Sequence, residues 1–356
     1  MKIYLICWLF PILYFLMVWV TMGAPDEGTD LAAQIYELES VQGQPVKFLY
    51  DEEQPFLFAM TYEALYLKTN ISPRLYIASL SFFYFGLILL VIEQKAKCCN
   101  ISRVKELGLS CIAIFTCLLY SPLFICIARF HFAVLFVIVG LLPFIFNKNV
   151  ILKLIGIIIA SLAYYAHEGI ILIYGIILFA FFIRYFWLNN YLGRNILLRN
   201  IIILSTAIAL YFNGPYIFSV ITTLLNRFSF LSDRLNELYV EAESGDGAYK
   251  LVLVLSLFGS MISLFITCLY DRKNNWMTAL CIAGLLMTCL FYNQKFFFVQ
   301  RIFMFMPLFI GLSCMQVLSE LKSGDKRNIY IFLLLAVPAI YICQLVIQRN
   351  LFFANL

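Results

Sequence analysis

The sequence predicts an all-α protein, a polytopic transmembrane helical bundle, and three observations carry that reading. Of its 356 residues, 63% are hydrophobic and only 13% are charged, against about 45–50% and about 25% in an average globular domain. The mean hydropathy is +0.91. The apolar runs are also continuous and long, as in 75–92 and 329–347. Finally, backbone N–H and C=O groups in hydrocarbon must pair internally, so only helices or closed barrels span. A barrel would show segments of about ten residues alternating apolar and polar; these runs do not alternate. Soluble globular, disordered, fibrous and nucleic-acid-binding classes are excluded by the same composition.

The elements follow in order, taking about 20 apolar residues for one helical crossing. Ile3–Met22 reads as the first span. A cleaved signal peptide is the weaker reading, because the apolar stretch exceeds the usual 7–15 residues and no A-x-A-like site follows. Residues 23–74 form a long polar loop. Within it Phe56–Leu67 is apolar but too short to cross, which suits a surface helix or part of a lipid-substrate groove. Spans two, three and four cover about 75–92, 107–127 and 130–146. The stretch 150–183 is too long for one crossing at about 1.5 Å per residue. Ala166-His167-Glu168-Gly169 is polar enough to break it into two short spans or a re-entrant hairpin. The next span, 201–226, carries an expected kink at Asn213-Gly214-Pro215. A second long loop, 227–249, precedes spans at 250–270, 276–292, 302–318 and 329–347. About eleven spans (ten to twelve) form one integral membrane domain over 1–356.

Charge sets the orientation. With the N-terminus inside, 15 of the 25 basic residues and five of the 20 acidic residues fall on the inner side. The inside is then +10 and the outside −5, which together give the chain's +5. The net charge therefore records topology and implies no nucleic-acid partner. Both long loops and both histidines land outside. The eleven cysteines avoid both loops, so they read as apolar packers or reduced thiols rather than a disulfide framework.

Ionisable groups at membrane depth are costly and mark function. Here they converge on the outer side. Arg129 sits where span three ends or span four begins, with His131 two residues on, and Arg301 precedes a span. A cation beside the positive end of a helix dipole suits a phosphate or diphosphate; the competing reading is snorkelling to headgroups. Lys295 flanks the same outer turn as Arg301. His167, at the outer turn before Glu168, suits a general base, a phosphate-orienting group or a leaving-group stabiliser. Asp30, Asp26 or Glu53 is the candidate carboxylate base, although outer loops also need solvated charge. No zinc motif, P-loop or dinucleotide turn is present in the sequence.

Several of these residues fall into a pattern. Gly28-Thr29-Asp30 is followed by Tyr36, then by Glu53-Gln54-Pro55-Phe56. Ala128-Arg129-Phe130-His131-Phe132-Ala133 opens a span. Asn147-Lys148 turns the chain, and Ala160–His167 closes the next short span. Gln300-Arg301-Ile302-Phe303-Met304-Phe305 comes late. The chain resembles, over about residues 1–320, the EpsG family of Wzy-like polysaccharide polymerases, which are bacterial integral membrane proteins. It departs from the pattern at Leu31, where tyrosine is usual, and at Glu168, where a small polar residue is usual.

The resemblance implies glycan polymerisation at the outer face of the bacterial cytoplasmic (inner) membrane, making O antigen, capsule or exopolysaccharide. The substrate would be an oligosaccharide repeat unit on undecaprenyl diphosphate, with membrane lipid around it. The chain-length regulator and flippase of the same pathway would be possible partners. Undecaprenyl diphosphate would leave as the glycosidic bond forms. The activated donor supplies the energy, so no cofactor or metal is expected. In this reading Arg129, Arg301 and Lys295 hold diphosphate, His167 acts near the acceptor or leaving oxygen, and Asp30 or Glu53 supports as carboxylate. Two neighbouring readings share the topology: a GT-C type glycosyltransferase with Asp26-Glu27 as its acids, and an O-antigen ligase. From other classes come a lipid-linked oligosaccharide transporter, which would show internal repeats and midplane charge, and a membrane-bound O-acyltransferase.

Overall fold

A computed structural model of the chain describes residues 30–43, 56–98, 128–146, 149–190, 194–225 and 276–291, with isolated positions in 11–19 and 298–312. Among the described residues every regular element is helical and no strand occurs. Four helical stretches are long and apolar enough to cross a membrane: Pro73–Val91, Ala128–Phe146, Glu168–Trp187 and Ile196–Ile217. Two shorter apolar helices, Val150–Tyr165 and Trp276–Phe291, accompany them. The expected spans at 107–127, 250–270 and 329–347 lie outside the described residues, as does the loop 227–249. The first span and that at 302–318 do so except for the isolated positions. The chain divides into two compact units, Met1–Ile171 with Phe352–Leu356, and Leu172–Leu351.

Among the described residues the first unit has two helices inside what the sequence reads as a polar loop, the second at the apolar stretch Phe56–Leu67 that suits a helix. Helix α1 is Asp30–Ser40. Its buried Gln34, Ile35 and Leu38 recur at helical spacing, while Tyr36, Glu39 and Ser40 are exposed. Gly43, in the left-handed region at φ +73, reverses the chain shortly after it. Helix α2 is Phe56–Thr69. It buries Phe58, Ala59, Tyr62 and Glu63 along one face and exposes Leu65 and Leu67 on the other. Asn70, at φ +52, ends it, with its N–H on the Tyr66 carbonyl. Three residues later Pro73 opens α3, Pro73–Cys98. Proline suits a first helical position, where no partner for its nitrogen is needed.

Aromatic packing joins these pieces. Phe58 and Tyr62 of α2 lie 5.4 and 5.3 Å from the ring of Tyr76 on α3. Phe58 also meets Phe132 edge-on at 5.7 Å. Phe132 belongs to α4, Ala128–Phe146, which continues through Pro143. Asn149 then caps α5, Val150–Ser161, by accepting the Ile151 N–H at 2.9 Å. Helices α4 and α5 come into backbone contact at two glycines. A Cβ on Gly140 would stand 2.4 Å from the Gly156 carbonyl oxygen, and one on Gly156 would stand 2.3 Å from that of Gly140. Small residues at such a crossing let helices associate where apolar burial alone provides little drive. Elsewhere α5 exposes Val150, Ile151, Leu154 and Ile158, an apolar surface that suits lipid.

The expected break in 150–183 is present. A short helix α6, Ala163–Ala166, stops at His167, whose backbone is extended (φ −165, ψ 117). A 3-10 turn, Glu168–Ile170, follows.

In the second unit α7, Ile171–Phe182, runs into a π turn at Ile183–Trp187. Helix α8 is Ile196–Leu225 and α9 is Trp276–Phe291. The sequence leads one to expect one span with a kink at Asn213-Gly214-Pro215, and α8 is one helix with Pro215 inside it. The Asn213 side chain donates to the Ala209 carbonyl at 2.9 Å, and Gly214 admits α9 so closely that a Cβ would stand 2.5 Å from the Leu290 carbonyl oxygen. Packing thus holds the helix across its proline. Nearly every side chain of α9 is buried, and Trp276 packs on Phe181 and Tyr185 at ring distances of 5.9 Å each. Cys281 and Cys289 are free thiols buried in this helix, as expected for packing cysteines.

Candidate functional site

The site forms where α1 meets the start of α4 in the first unit. Two residues one turn apart on α1 reach Arg129, the second residue of α4. Gln34 accepts the backbone N–H of Arg129 through Oε1 at 3.2 Å. Glu37 accepts from Nη1 of the Arg129 guanidinium through Oε2 at 2.9 Å. A first-turn N–H of a helix has no partner within that helix, so Gln34 supplies one from 95 residues away. The two contacts are separable: one fixes the backbone, the other aims the side chain.

The electrostatics of the pair are unequal. The Arg129 side chain is 30% exposed and that of Glu37 only 14%. The other carboxylate oxygen of Glu37, Oε1, is buried with no hydrogen-bond partner among the described residues. Burial pushes the Glu37 carboxyl above its ordinary value, more than the charge and hydrogen bond of Arg129 pull it down. The cation is accessible while its anion is strained by desolvation.

His167 stands in the same unit. Its ring meets that of Phe130, the residue after Arg129, edge-on at 5.3 Å. Its Nδ1 accepts the Gly169 N–H at 3.0 Å. That bond places the proton of a neutral imidazole on Nε2, making the outer nitrogen a donor. His131 is different: it is buried, with its ring edge-on to Tyr84 at 5.1 Å.

A second acid of the same unit is sealed in the core. Glu63 of α2 is fully buried. Its Oε1 accepts the N–H of Gly43 at 3.0 Å, and its Oε2 has no hydrogen-bond partner among the described residues. Beside it Gln42 donates to the Tyr62 hydroxyl at 2.6 Å, and that hydroxyl donates to the Ile71 carbonyl at 3.1 Å. These contacts tie the turn after α1 to α2.

Of the residues expected from sequence, Arg129 and His167 are thus brought into one neighbourhood through Phe130. Asp30 is the first residue of α1, the helix that holds Arg129. Arg301 belongs to the second unit and is buried, at 7% exposure. Glu53 and Lys295 lie outside the described residues. Sequence reasoning missed Gln34, Glu37 and Glu63. The signal for α1 was present in the spacing of Leu31, Ile35 and Leu38. Glu63 could have been found as the lone acid within an apolar run. The partner of Glu37 could not, since pairing across 92 residues leaves no local trace. Among the described residues no group of three or more His, Cys, Asp or Glu side chains is placed to hold a metal ion. No family model, no curated protein and no solved structure matches the chain.

Proposed function

We propose that this protein polymerises oligosaccharide repeat units carried on undecaprenyl diphosphate, at the outer face of the bacterial cytoplasmic membrane. The carrying observation is Arg129: a part-exposed cation in the first turn of a membrane-length helix, aimed by Glu37 and adjoining the turn that bears His167. Charge at such a helix start supports an anionic ligand at the interface. Its fit to a lipid-linked diphosphate suits the lipid-sugar enzymes as a class, and the sequence resemblance favours the polymerase among them.

The chemistry is a glycosyl transfer. An acceptor hydroxyl oxygen attacks the anomeric carbon of the donor repeat unit. The bond from that carbon to the diphosphate oxygen breaks, and the electron pair leaves with undecaprenyl diphosphate. Arg129 binds the charge that develops on the leaving diphosphate, where a charge-assisted guanidinium contact is strongest. His167 presents Nε2–H, which suits donation to a phosphate or leaving oxygen better than proton abstraction. The proton from the acceptor hydroxyl goes to a carboxylate, for which Asp30 and Glu53 remain the candidates.

Glycan chain length in cells tests it. Arg129→Ala or His167→Ala, with expression matched to wild type, is expected to leave single repeat units in place of a long ladder. A full-length ladder from both variants would remove these residues from the site. A full-length ladder after deletion of the whole protein would remove the polymerase reading itself.

A further inference from the structure

We infer that Glu37 is the resident counter-ion of Arg129, and that a phosphate-bearing ligand binds this site by displacing its carboxylate from the guanidinium. The inference rests on the reading of Arg129 as a diphosphate seat, and it adds how that seat is kept when empty.

Three observations carry it. The pair is held by one hydrogen bond, Nη1 to Oε2 at 2.9 Å, with Oε1 left unpartnered among the described residues, rather than by the two-pronged contact that makes arginine–carboxylate pairs strong. The guanidinium is the more exposed partner, so an incoming anion meets the cation before the carboxylate. Gln34 holds the backbone of Arg129 independently, through Oε1 at 3.2 Å. Opening the ion pair therefore need not release the start of α4. Side-chain rotation exchanges one anion for another while the helix stays in place.

The arrangement has a consequence with a definite sign. A carboxylate that merely props Arg129 in a binding pose would weaken the site when removed. A carboxylate that competes with the ligand would strengthen it. A bound diphosphate would also stand near the Glu37 charge, so the two anions oppose each other as well as compete.

The test is binding of inorganic pyrophosphate to the purified full-length protein in detergent, by isothermal titration calorimetry. Glu37→Gln keeps the shape of the side chain and removes its charge. It is expected to bind pyrophosphate roughly two- to fivefold tighter than wild type, the range that a part-exposed ion pair is worth. Glu37→Asp, which withdraws the carboxylate by one methylene, should shift affinity in the same direction by less. Arg129→Ala should lose binding. Size-exclusion profile and helical circular dichroism establish that each variant is folded. Weaker or unchanged binding in folded Glu37→Gln, with wild type binding and Arg129→Ala not, would overturn the counter-ion inference and leave the anion seat standing. Should Glu37→Gln fail to fold, Glu37→Asp decides by the same sign. Absence of pyrophosphate binding in wild type, or unchanged binding in Arg129→Ala, would overturn both the inference and the diphosphate seat.

Discussion

Glu37 and Glu63 lie on successive helices of the same polar segment, and the fold treats them oppositely. Glu37 keeps 14% exposure and faces a cation that solvent reaches. Glu63 is wholly enclosed, and it accepts the Gly43 amide from the turn after α1. The first pair can be opened by a competing anion without disturbing a helix. The second cannot be opened without leaving a buried carboxyl group short of its bond. A charge at the edge of a packed unit is thus available to a ligand, while a charge inside it fixes the chain's path. The comparison teaches that burial alone does not mark function; what matters is whether the partner is reachable.

Changes at four positions would break or sharpen this contrast, in decreasing order of effect. Arg129→Ala removes the reachable cation and should lower polymer output at least about tenfold, the loss of a single charge-assisted contact of about 1.5–3 kcal/mol, read as the ratio of long to single-unit glycan. Arg129→Lys keeps a charge but not the fork, and should restore only part of that output. Next, Gly156→Val drives a side chain into the α4 backbone, where even a Cβ stands 2.3 Å from the Gly140 carbonyl oxygen. The cost should be about 1–3 kcal/mol or more, seen as a lower thermal unfolding midpoint in detergent.

Third, Glu63→Ala removes the bond that ties the Gly43 turn to α2 and should destabilise by about 0.5–1.5 kcal/mol, yet leave the output per folded molecule near wild type. That split between stability and output is what separates Glu63 from Arg129. The smallest effect concerns pH. Because burial raises the Glu37 carboxyl above its ordinary value of 4.5, the folded protein holds that proton more tightly than the unfolded chain does. Stability from this group is therefore full below the ordinary value and falls as pH rises through the raised one. The difference in unfolding midpoint between wild type and Glu37→Gln should shrink or reverse as pH is lowered across that window. A pH-independent difference would contradict the raised value.

Much of the membrane-length architecture was legible because composition and run length report it directly. Helices α3, α4 and α8 fall where long apolar runs place them, and the polar tetrad 166–169 breaks the chain at His167 as expected. Within the segment 23–74, Phe56–Leu67 suits a helix and α2 stands there. One local rule failed: α1 read as loop because polarity was weighed over the whole segment, whereas its apolar spacing shows at the scale of single turns. Asn213-Gly214-Pro215 reads as a kink within one span, and α8 is one helix through it, with the backbone of Leu290 alongside and the Asn213 bond to Ala209. Arg129 and His167 were legible because charge in apolar sequence is conspicuous. Gln34 and Glu37 were not, since they are ordinary polar residues of an amphipathic helix until the fold brings Arg129 to them.

The central claim is glycosyl transfer from a lipid-linked diphosphate, and reconstitution tests it most directly. Purified protein in liposomes would be given undecaprenyl-diphosphate-linked repeat units extracted from the host, without any nucleotide or nucleotide sugar. The account predicts glycan chains of several repeat units, released undecaprenyl diphosphate in matching amount, and loss of both with Arg129→Ala. Repeat units that cross the bilayer unchanged, with neither chains nor free undecaprenyl diphosphate, would contradict it.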